Sequence, residues 1–551
     1  MEHGLKEVSP MKILSSEWLS FLDGSTINSE AQKTIVYSDF QQASDKETGE
    51  IVLNYRPTGC WINRLDTGEY SIDFPGAAHI QQAGAPKLVQ EGLLVAVPPG
   101  AEIKSLDVMD IQEMNYSESI SVVPVSVPVK NTEPPIISQD PYIYNSDFIY
   151  PPTPVVRLGE EEFMGIYCTH LYVCPMKYQA KSQKLTFLTS LTIRITYQKS
   201  FEKKFSNERL RGNALMRDFI LGCPVQIREN NKPRLIIVTS DIFKGCTSDY
   251  ISAKSGQYDV KEVTVSSIHS KYKELSKPEA IREYLMEEYA EAPIHTVILA
   301  GSVAEVPSYE GYGCMSDSYY AQTSKDNYTP LFAISRFPAV TGTELREMSK
   351  YAAGYNSNKP KLRNNAIFIA YDDTEFIACS DNIVAKISSP LNPIKKYEGK
   401  CTHIDVIRSI NAGCGFINYR GHGTPSAWNT ANAPLLSEIA KLKVKTDAPH
   451  IFSIACLTNS IEVNTCYGVT WLRNQKAISF LGASRVSWRS QNNEFDTYLW
   501  ELINNKTYPT IGQIYQAASC KLYINDKSKY SIENLQSYLL LGDATAEYGA
   551  S

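Results

Sequence analysis

The sequence predicts two parts: an α/β domain with a mainly parallel sheet between helices, and before it an all-β sandwich or barrel. Two observations carry this prediction. Before about residue 200, short runs that alternate polar and apolar residues are separated by Pro and Gly, which is typical of strands with one wet face. After that point, near-continuous apolar runs alternate with helical patterns, as in parallel sheets buried on both faces.

The N-terminal runs are short and regularly spaced, which favours a sandwich or barrel. In the last run, Leu191, Ile193, Ile195 and Tyr197 share one face. A segment rich in Pro and Tyr, 131–154, predicts an extended crossing loop. The predicted strands are EIVLNYR (50–56), GEYSIDF (68–74), GLLVAVPPG (92–100), SISVVPVSV (119–127) and KLTFLTSLTIRITYQ (184–198).

A linker dense in Lys and Arg separates the two parts, and the later part divides into two subdomains. The predicted boundaries are 1–205 for the β-rich domain, 206–230 for the linker, 231–360 for the first subdomain and 361–551 for the second.

The second part shows strands and capped helices in alternation. Ser276 and Glu279 have capping-box spacing ahead of one helix, and another helix begins near Thr343. The predicted strands are RLIIVTS (234–240), HTVILAGS (295–302), LFAISRFP (331–338), AIFIAYDD (366–373), CGFINYRGHG (414–423), PHIFSIACL (449–457) and AISFLGAS (477–484).

Composition excludes several classes of protein. With 43% apolar and 21% charged residues among 551, the chain can bury a large core. The net charge of −6 and the lack of a long basic run argue against nucleic acid as a partner, and no run of 18 apolar residues predicts a membrane span. The N-terminus lacks a signal-peptide pattern, so the chain as written is expected in the cytoplasm, or outside the cell if it is a mature or trimmed form. Twelve scattered cysteines without a CxxC pair predict reduced thiols and no zinc site.

Two predicted strand ends carry groups suited to nucleophilic catalysis. His422 follows the strand FINY, and Cys456 follows the strand IFSIA. The carboxyl ends of neighbouring parallel strands meet at one sheet edge, so the thiol and the imidazole can reach one substrate carbonyl. The N–H groups of Gly423 and Cys456 could hold the oxyanion. Either residue alone is more simply a turn histidine or a buried core cysteine; only the pair predicts catalysis.

The blocks around this pair resemble the gingipain family of cysteine peptidases, which has a caspase-like fold. The N-terminal half is similar to the gingipain propeptide, and Ala544 stands where the family's closing motif usually has Pro. The similar blocks are GFINYRGHGTPSAW (415–428), HIFSIACLTNS (450–460), ISFLGASRVSW (478–488), HTVILAGSVAEVPSY (295–309), SDSYYAQ (316–322), FAISRFP (332–338), SYLLLGDAT (537–545), LVAVPPGAE (94–102), DFIYPPTPVV (147–156) and CPMKYQAKSQKLTFLTSLTIRITY (174–197).

The resemblance implies roles for individual residues. Cys456 would be the nucleophile, His422 its proton-transfer partner, and Gly423 an oxyanion donor together with Cys456. Asp373, with Asp372 beside it, would orient and charge-stabilise His422. The alternative for Asp373 is a cap of the helix that follows the strand.

Two further residues would form the specificity pocket under the same resemblance. Asp381 would be the acid that binds a substrate Arg or Lys, and Trp488 an aromatic wall. The alternatives are that Asp381 is a helix N-terminal residue and that Trp488 packs in the core.

The resemblance predicts a zymogen of a cysteine endopeptidase that cleaves after Arg or Lys. Its partners would be protein or peptide substrates and its own prodomain, with Arg217 or Arg211 of the linker as processing sites and Arg209 and Arg228 as further candidates. No cofactor is required, and structural Ca²⁺ is implied by resemblance alone, since no acidic cluster of defined spacing is visible. The alternatives are an intracellular processing or effector protease of one partner protein, and a binding module that has kept the fold without turnover.

Overall fold

The computed structural model divides the chain into two units. The first comprises Met1–Pro128, Pro135–Ile227 and Ile524–Ser528, and the second Val129–Pro134, Arg228–Tyr523 and Lys529–Ser551. Each unit therefore takes in one short segment from the other part of the sequence. The residues that the structure describes are 12–22, 27, 29–43, 46–98, 101–199, 214–224, 232–323, 328–355, 364–444 and 448–549.

The described part of the first unit consists mainly of strands, in agreement with the alternating sequence pattern. Its described sheets have the strand orders β1-β4-β5, β10-β11-β7-β14 and β2-β3-β13-β12-β9, with β6 beside β7 and β8 beside β13. The bounds are β1 Ile13–Ser20, β2 Gln32–Ala43, β3 Lys46–Arg56, β4 Gly59–Leu65, β5 Tyr70–Asp73, β6 Ala78–His79, β7 Val89–Ala96, β8 Ala101–Asn115, α1 Pro141–Tyr144, β9 Ile149–Tyr150, β10 Val155–Phe163, β11 Ile166–Val173, β12 Met176–Gln179, β13 Lys184–Lys199, α2 Ala214–Phe219 and β14 Ile220–Leu221.

The predicted faces of β13 are observed. Leu191, Ile193, Ile195 and Tyr197 are all buried, whereas the residues between them are partly exposed. Every second side chain of a strand points to the same face, so one face of β13 lies in the core and the other is more exposed to solvent.

Two N-terminal predictions were wrong in detail. The run at 119–127 forms isolated bridges at Val122, Pro124 and Val127 and is not a named strand. Proline has no N–H to donate to a ladder, so the proline in this run interrupts regular pairing. The segment 131–154 is not wholly extended, because it contains α1 and β9.

The second unit contains a ten-stranded sheet among its described residues, with the order β16-β15-β17-β18-β26-β25-β24-β21-β19-β20. Every neighbouring pair is parallel except β25 with β26. The strand bounds are β15 Arg234–Thr239, β16 Asp259–Thr264, β17 Ile294–Ala300, β18 Ala333–Phe337, β19 Asn365–Ala370, β20 Asn392–Lys395, β21 Phe416–Arg420, β22 Gly423–Thr424, β23 Ala427–Trp428, β24 His450–Ile454, β25 Ser479–Ala483 and β26 Tyr538–Gly542.

Helices connect these strands, as the sequence predicts for a parallel sheet. Ser276 and Glu279 form the predicted capping box, and Thr341 caps the helix expected near Thr343. The helix bounds are α3 Ser248–Lys254, α4 Val265–Lys271, α5 Lys277–Glu291, α6 Gly342–Ala353, α7 Thr374–Lys386, α8 His403–Ala412, α9 Leu436–Ile439, α10 Tyr467–Arg473, α11 Arg489–Asn504, α12 Ile511–Asn525 and α13 Lys529–Ser537.

The last strand, β26, joins the two predicted subdomains. It pairs with β18 on one side and with β25 on the other, so 231–360 and 361–551 contribute to one sheet. None of the described helices is both long and apolar enough to cross a bilayer.

Candidate active site

The sheet brings His422 and Cys456 to one edge. Strands β21 and β24 are parallel neighbours in which Arg420 lies opposite Ile454, and each candidate lies two residues beyond that pair. The backbones stay close past the strand ends, since a Cβ on Gly423 would come within 2.4 Å of the Cys456 carbonyl oxygen. Glycine is thus required at 423 because the Cys456 backbone approaches so closely.

Two aromatic rings position the His422 imidazole. Its centroid lies 4.8 Å from that of Tyr371 and 5.2 Å from that of Phe376, both edge-on. Nδ1 of His422 is buried and has no hydrogen-bond partner among the described residues. Burial and the nearby charge of Arg489 lower the pKa of His422, and Asp373 opposes them. The imidazole is therefore neutral at neutral pH and able to accept a proton.

The thiol of Cys456 is fully buried and is held by Ser487. The Ser487 N–H donates to Sγ at 3.4 Å, and Sγ lies 3.7 Å from Ser487 Oγ. Burial raises the pKa of Cys456, and the contacts with Ser487 partly offset that rise. The resting pair is thus a thiol and a neutral imidazole. In the part of the chain that the structure describes, the Cys456 N–H donates to no backbone carbonyl, so it remains available to an oxyanion.

Asp373 caps α7, which is the alternative that the sequence left open. Its carboxylate accepts from the N–H groups of Glu375 and Phe376 and pairs with Arg489 at 3.2 Å. No hydrogen bond joins it to His422 among the residues described, so its influence there is electrostatic. Asp372 donates its N–H to Glu398.

The structure does not bring Asp381 and Trp488 together. Asp381 lies within α7, beyond its N-terminal turns, and its carboxylate binds Tyr397 at 2.8 Å and Lys395 at 2.6 Å. Trp488 precedes α11 and donates its indole N–H to Glu533 at 2.8 Å. The acid beside Trp488 is therefore Glu533 of α13, which the sequence gave no reason to select.

Residues 129–134 belong to the second unit, and residues 129–131 pair with residues 487–489 beside the Cys456 thiol through one antiparallel bridge. The Asn131 N–H donates to the Ser487 carbonyl at 2.8 Å, and the Arg489 N–H donates to the Val129 carbonyl at 3.1 Å. Lys130 lies directly opposite Trp488 in this antiparallel bridge. Peptides bound by strand addition make such main-chain hydrogen bonds.

The Asn131 side chain is fully buried and has three hydrogen bonds. Its carbonyl oxygen accepts from Arg420 at 2.7 Å and from Asn492 at 3.2 Å, and its NH₂ donates to the Gly421 carbonyl at 2.8 Å. Asn131 also acts on both catalytic candidates: its backbone raises the pKa of His422, and its side chain lowers the pKa of Cys456.

The neighbouring Lys130 occupies a more open site. Its Nζ lies 3.6 Å from the centroid of the Trp488 ring and 3.0 Å from the Glu533 carboxylate. Arg485 contacts the same carboxylate.

The chain turns at Asn131 and Thr132. The Glu133 N–H donates to the Lys130 carbonyl at 2.9 Å, and the Glu133 carboxylate accepts from the Lys130 N–H at 3.2 Å. The pairing with residues 487–489 therefore ends with the Asn131 N–H, and Asn131 and Thr132 are the central residues of the turn.

Arg420 is the site residue that the sequence analysis missed most clearly. It is fully buried, stacks on Phe376 at 4.2 Å and binds Asn493 Oδ1 through Nε and Nη2. It also donates to the carbonyls of Ile454 and Arg489. An arginine inside the apolar run before His422 was the available signal, because a buried charge needs dedicated partners.

The predicted processing sites are only partly described. Arg217 is exposed in the short helix α2, whereas Arg209, Arg211 and Arg228 lie outside the described residues. Within the described ranges, no three His, Cys, Asp or Glu side chains are grouped so that they could hold a metal ion. The structural Ca²⁺ implied by resemblance stays a prediction.

Curated proteins of one organism are similar in sequence to this chain. The chain is 21% identical to gingipain R1 of Porphyromonas gingivalis over 413 residues, which are 68% of this chain and 41% of that protein. It is 25% identical to gingipain R2 of the same organism over 273 residues, 46% of this chain and 36% of that protein. The chain thus spans less than half the length of these curated relatives.

Solved structures share the fold. The crystal structure of the Arg-specific cysteine proteinase gingipain R matches 58% of this chain and 79% of that chain with a TM-score of 0.52 and 19% identity. A complex of the pro- and mature domains of RgpB from P. gingivalis matches 57% of this chain and 79% of that chain, also with a TM-score of 0.52 and 19% identity.

The decisive match covers the unit that carries the Cys–His pair. The sequence model of peptidase family C25 matches residues 228–548, more than half of the chain. The chain therefore belongs to peptidase family C25, and the expectation of a gingipain-type cysteine peptidase is confirmed.

Proposed function

We propose that this chain is a cysteine endopeptidase held in a latent state by its own residues 129–134. The observation that supports this most strongly is that Asn131 donates its N–H to the carbonyl of Ser487, whose own N–H holds the Cys456 thiol. A substrate must bring its scissile carbonyl to the same thiol.

The proposed reaction starts from the Cys456 thiol and the neutral His422 imidazole. The Cys456 thiol gives its proton to His422 as Sγ bonds to the substrate carbonyl carbon, and the carbonyl oxygen becomes an oxyanion that the Cys456 N–H and, as the sequence predicts, the Gly423 N–H can hold. The tetrahedral species collapses to a thioester when the C–N bond breaks, and His422 returns the proton to the leaving amine. Water then attacks the thioester with His422 as base, which releases the acid and restores the thiol.

Latency follows from how residues 129–134 lie. The segment covers the thiol, and the turn from Lys130 to Glu133 bends the chain away where a substrate would continue past its cleaved bond. That a solved neighbour is a complex of pro- and mature domains is consistent with a zymogen. Removal or release of the segment would expose the thiol to solvent and to substrate.

The groove also recognises a basic residue, as the resemblance predicts. Lys130 is held by an ion pair with Glu533 and by the face of Trp488. An ammonium between a carboxylate and an indole face is favourable at a partly desolvated site. The acid that binds this basic side chain is Glu533, whereas Asp381 pairs with Lys395.

The test compares Cys456→Ala and His422→Ala with Cys401→Ala, a matched change at a partly exposed cysteine outside the site. We expect each of the first two to lose at least about 1,000-fold in peptide hydrolysis, since removal of either half of such a pair disables the chemistry. Cys401→Ala should keep its activity.

Mass spectrometry after treatment with a thiol-reactive peptide ketone should locate the adduct on Cys456. If no peptide is cleaved by the chain or by a variant with a weakened 129–134 segment, the chain is a binding module with the protease fold. Turnover that persists in Cys456→Ala would refute the assigned nucleophile.

A further inference from the structure

We propose that the pocket beside Cys456 selects asparagine at P1, the residue before the cleaved bond, and that Lys130 marks the P2 site next to it. This inference rests on the proposed function and specifies its substrate: peptide bonds that follow an Asn, with a basic residue preceding the Asn. The resemblance predicts a basic residue at P1. This inference places the basic residue at P2 instead.

Main-chain hydrogen bonds place Asn131 next to the Cys456 thiol. Asn131 donates its N–H to Ser487, whose own N–H holds the Cys456 thiol. Arg420 and Gly421, which bind the Asn131 side chain, directly precede His422 in sequence. The pairing ends with the Asn131 N–H, so we infer that the bond presented to the pair is the one between Asn131 and Thr132.

Different partners hold the two side chains, so Lys130 and Asn131 occupy different pockets. Lys130 meets Trp488 and Glu533. Asn131 meets Arg420 and Gly421 at the end of β21, and Asn492 of α11. Only the Asn131 pocket adjoins the thiol.

The Asn131 pocket matches a primary amide. It offers two donors, Arg420 and Asn492, to the amide oxygen, and one acceptor, the Gly421 carbonyl, to the NH₂ group. All three bonds form with the side chain fully buried. An amide with one acceptor atom and one donor atom satisfies every partner without carrying charge into the protein.

Other P1 side chains fit this pocket less well. An aspartate would place a carboxylate oxygen against the Gly421 carbonyl, so one acceptor would face another. A lysine or arginine would bring a second cation beside the buried Arg420 guanidinium, where repulsion is weakly screened. Glutamine is longer by one methylene in a pocket that Asn131 already fills.

The charges around Arg420 also favour Asn over Lys or Arg at P1. The nearby Arg489 is paired with Asp373 and Glu375, so those carboxylates are engaged elsewhere. Arg420 itself binds carbonyl and amide oxygens. The pocket therefore presents a guanidinium whose hydrogen-bond partners are neutral to the P1 side chain, which favours an oxygen acceptor and disfavours a cation.

The test measures hydrolysis of fluorogenic peptides Pro-Val-Lys-X by the full chain and by the full-length Asn131→Ala variant, whose own segment binds more weakly. With X as Asn, Asp, Gln, Lys or Arg, we expect Asn to be cleaved at least about 10-fold faster than any other. Fastest cleavage after Lys or Arg overturns the inference and leaves the endopeptidase proposal standing. No cleavage of any peptide by either protein overturns both.

A second measurement assigns the Lys130 site. Glu533→Gln should lower kcat/KM about 3- to 10-fold for peptides with Lys at P2 and not for those with Ala at P2, while Asn stays preferred at P1. The matched control is Glu347→Gln, an exposed acid on α6. If Glu533→Gln instead weakens cleavage directly after Lys, the Lys130 site is the P1 pocket and the inference is wrong.

Discussion

The sites of Asn131 and Lys130 lie side by side but differ in physical character. Asn131 is completely buried and makes three hydrogen bonds in a closed pocket. The Lys130 side chain is 26% exposed and the Glu533 side chain 28% exposed, and their contact is an ion pair against one aromatic face. The first site depends on hydrogen-bond geometry and the second on charge.

This difference predicts different kinds of selectivity. A buried polar pocket penalises a wrong side chain heavily, because its own groups then lose their partners. A partly exposed ion pair contributes roughly 1 kcal/mol or less and weakens with salt. The Asn131 pocket should therefore set the identity of the cleaved bond, and the Lys130 site should adjust its rate.

Replacing the cation of the closed pocket should have the largest effect. Arg420→Met leaves Asn493 and the carbonyls of Ile454 and Arg489 without their donor. We expect a loss of about 3–5 kcal/mol in the free energy of unfolding, in the range seen when a buried charge network is broken. Denaturant unfolding measures this loss.

The matched control is Arg408→Met, in which the removed arginine is 76% exposed on α8. It should change stability by less than about 0.5 kcal/mol. Similar losses of unfolding free energy in both variants would show that Arg420 contributes no more to stability than a surface arginine.

The fold was largely predictable because hydrophobic periodicity survives in a single sequence. The seven predicted parallel strands correspond to β15, β17, β18, β19, β21, β24 and β25, whereas β16 and β20 were not predicted. The burial pattern of β13 follows its alternation. The sequence analysis treats SYLLLGDAT (537–545) as a family motif and does not predict strand β26 there. The strand forms by pairing with β18 and β25, which are distant in sequence.

The candidate site was predictable only in part. His422 and Cys456 stand at strand ends, which a sequence pattern marks. Asn131 lies in a turn about 290 residues before Gly421, to which it binds, and Glu533 lies in the late helix α13. Both residue types are common on protein surfaces. No local pattern identifies such contacts, and for this reason Asp381 was selected as the pocket acid in place of Glu533.

The buried acid near Arg420 offers a second test of the closed region. Burial raises the pKa of Asp496 to about 7, and the hydrogen bond from Asn418 and the charge of Arg420 only partly oppose it. The folded state therefore favours the protonated carboxyl. That stabilisation is fully present below about pH 4 and is lost as pH rises towards 7.

Asp496→Asn removes this titration. Relative to wild type, the variant should gain stability between pH 4 and 8, by at most about 4 kcal/mol. Thermal unfolding across that pH range measures the gain, with Asp249→Asn on the exposed face of α3 as the control. A difference that does not vary with pH would mean that the carboxyl is ionised throughout.

Loosening the bound segment compares the two sites directly. Asn131→Ala removes three buried hydrogen bonds and should release residues 129–134, which raises basal peptide hydrolysis by the full chain about 10- to 100-fold. Lys130→Ala removes a partly exposed ion pair and should raise it no more than about 5-fold. Turnover without added activator is the measurement. A larger rise in Lys130→Ala would reverse the ranking of the two sites.

Salt should produce the smallest effect and should act on one site alone. At 1 M salt the screening length is about 3 Å, against about 14 Å at 0.05 M, so attraction between a P2 lysine and Glu533 weakens. We expect the preference for Lys over Ala at P2 to fall about 2- to 4-fold. Preference for Asn over Gln at P1 should stay constant, because neither amide carries charge and their difference lies in fit within a closed pocket. Kinetics on these two peptide pairs at both ionic strengths measure the effect, and an equal fall in both preferences would mean that the Asn131 pocket also discriminates through long-range charge.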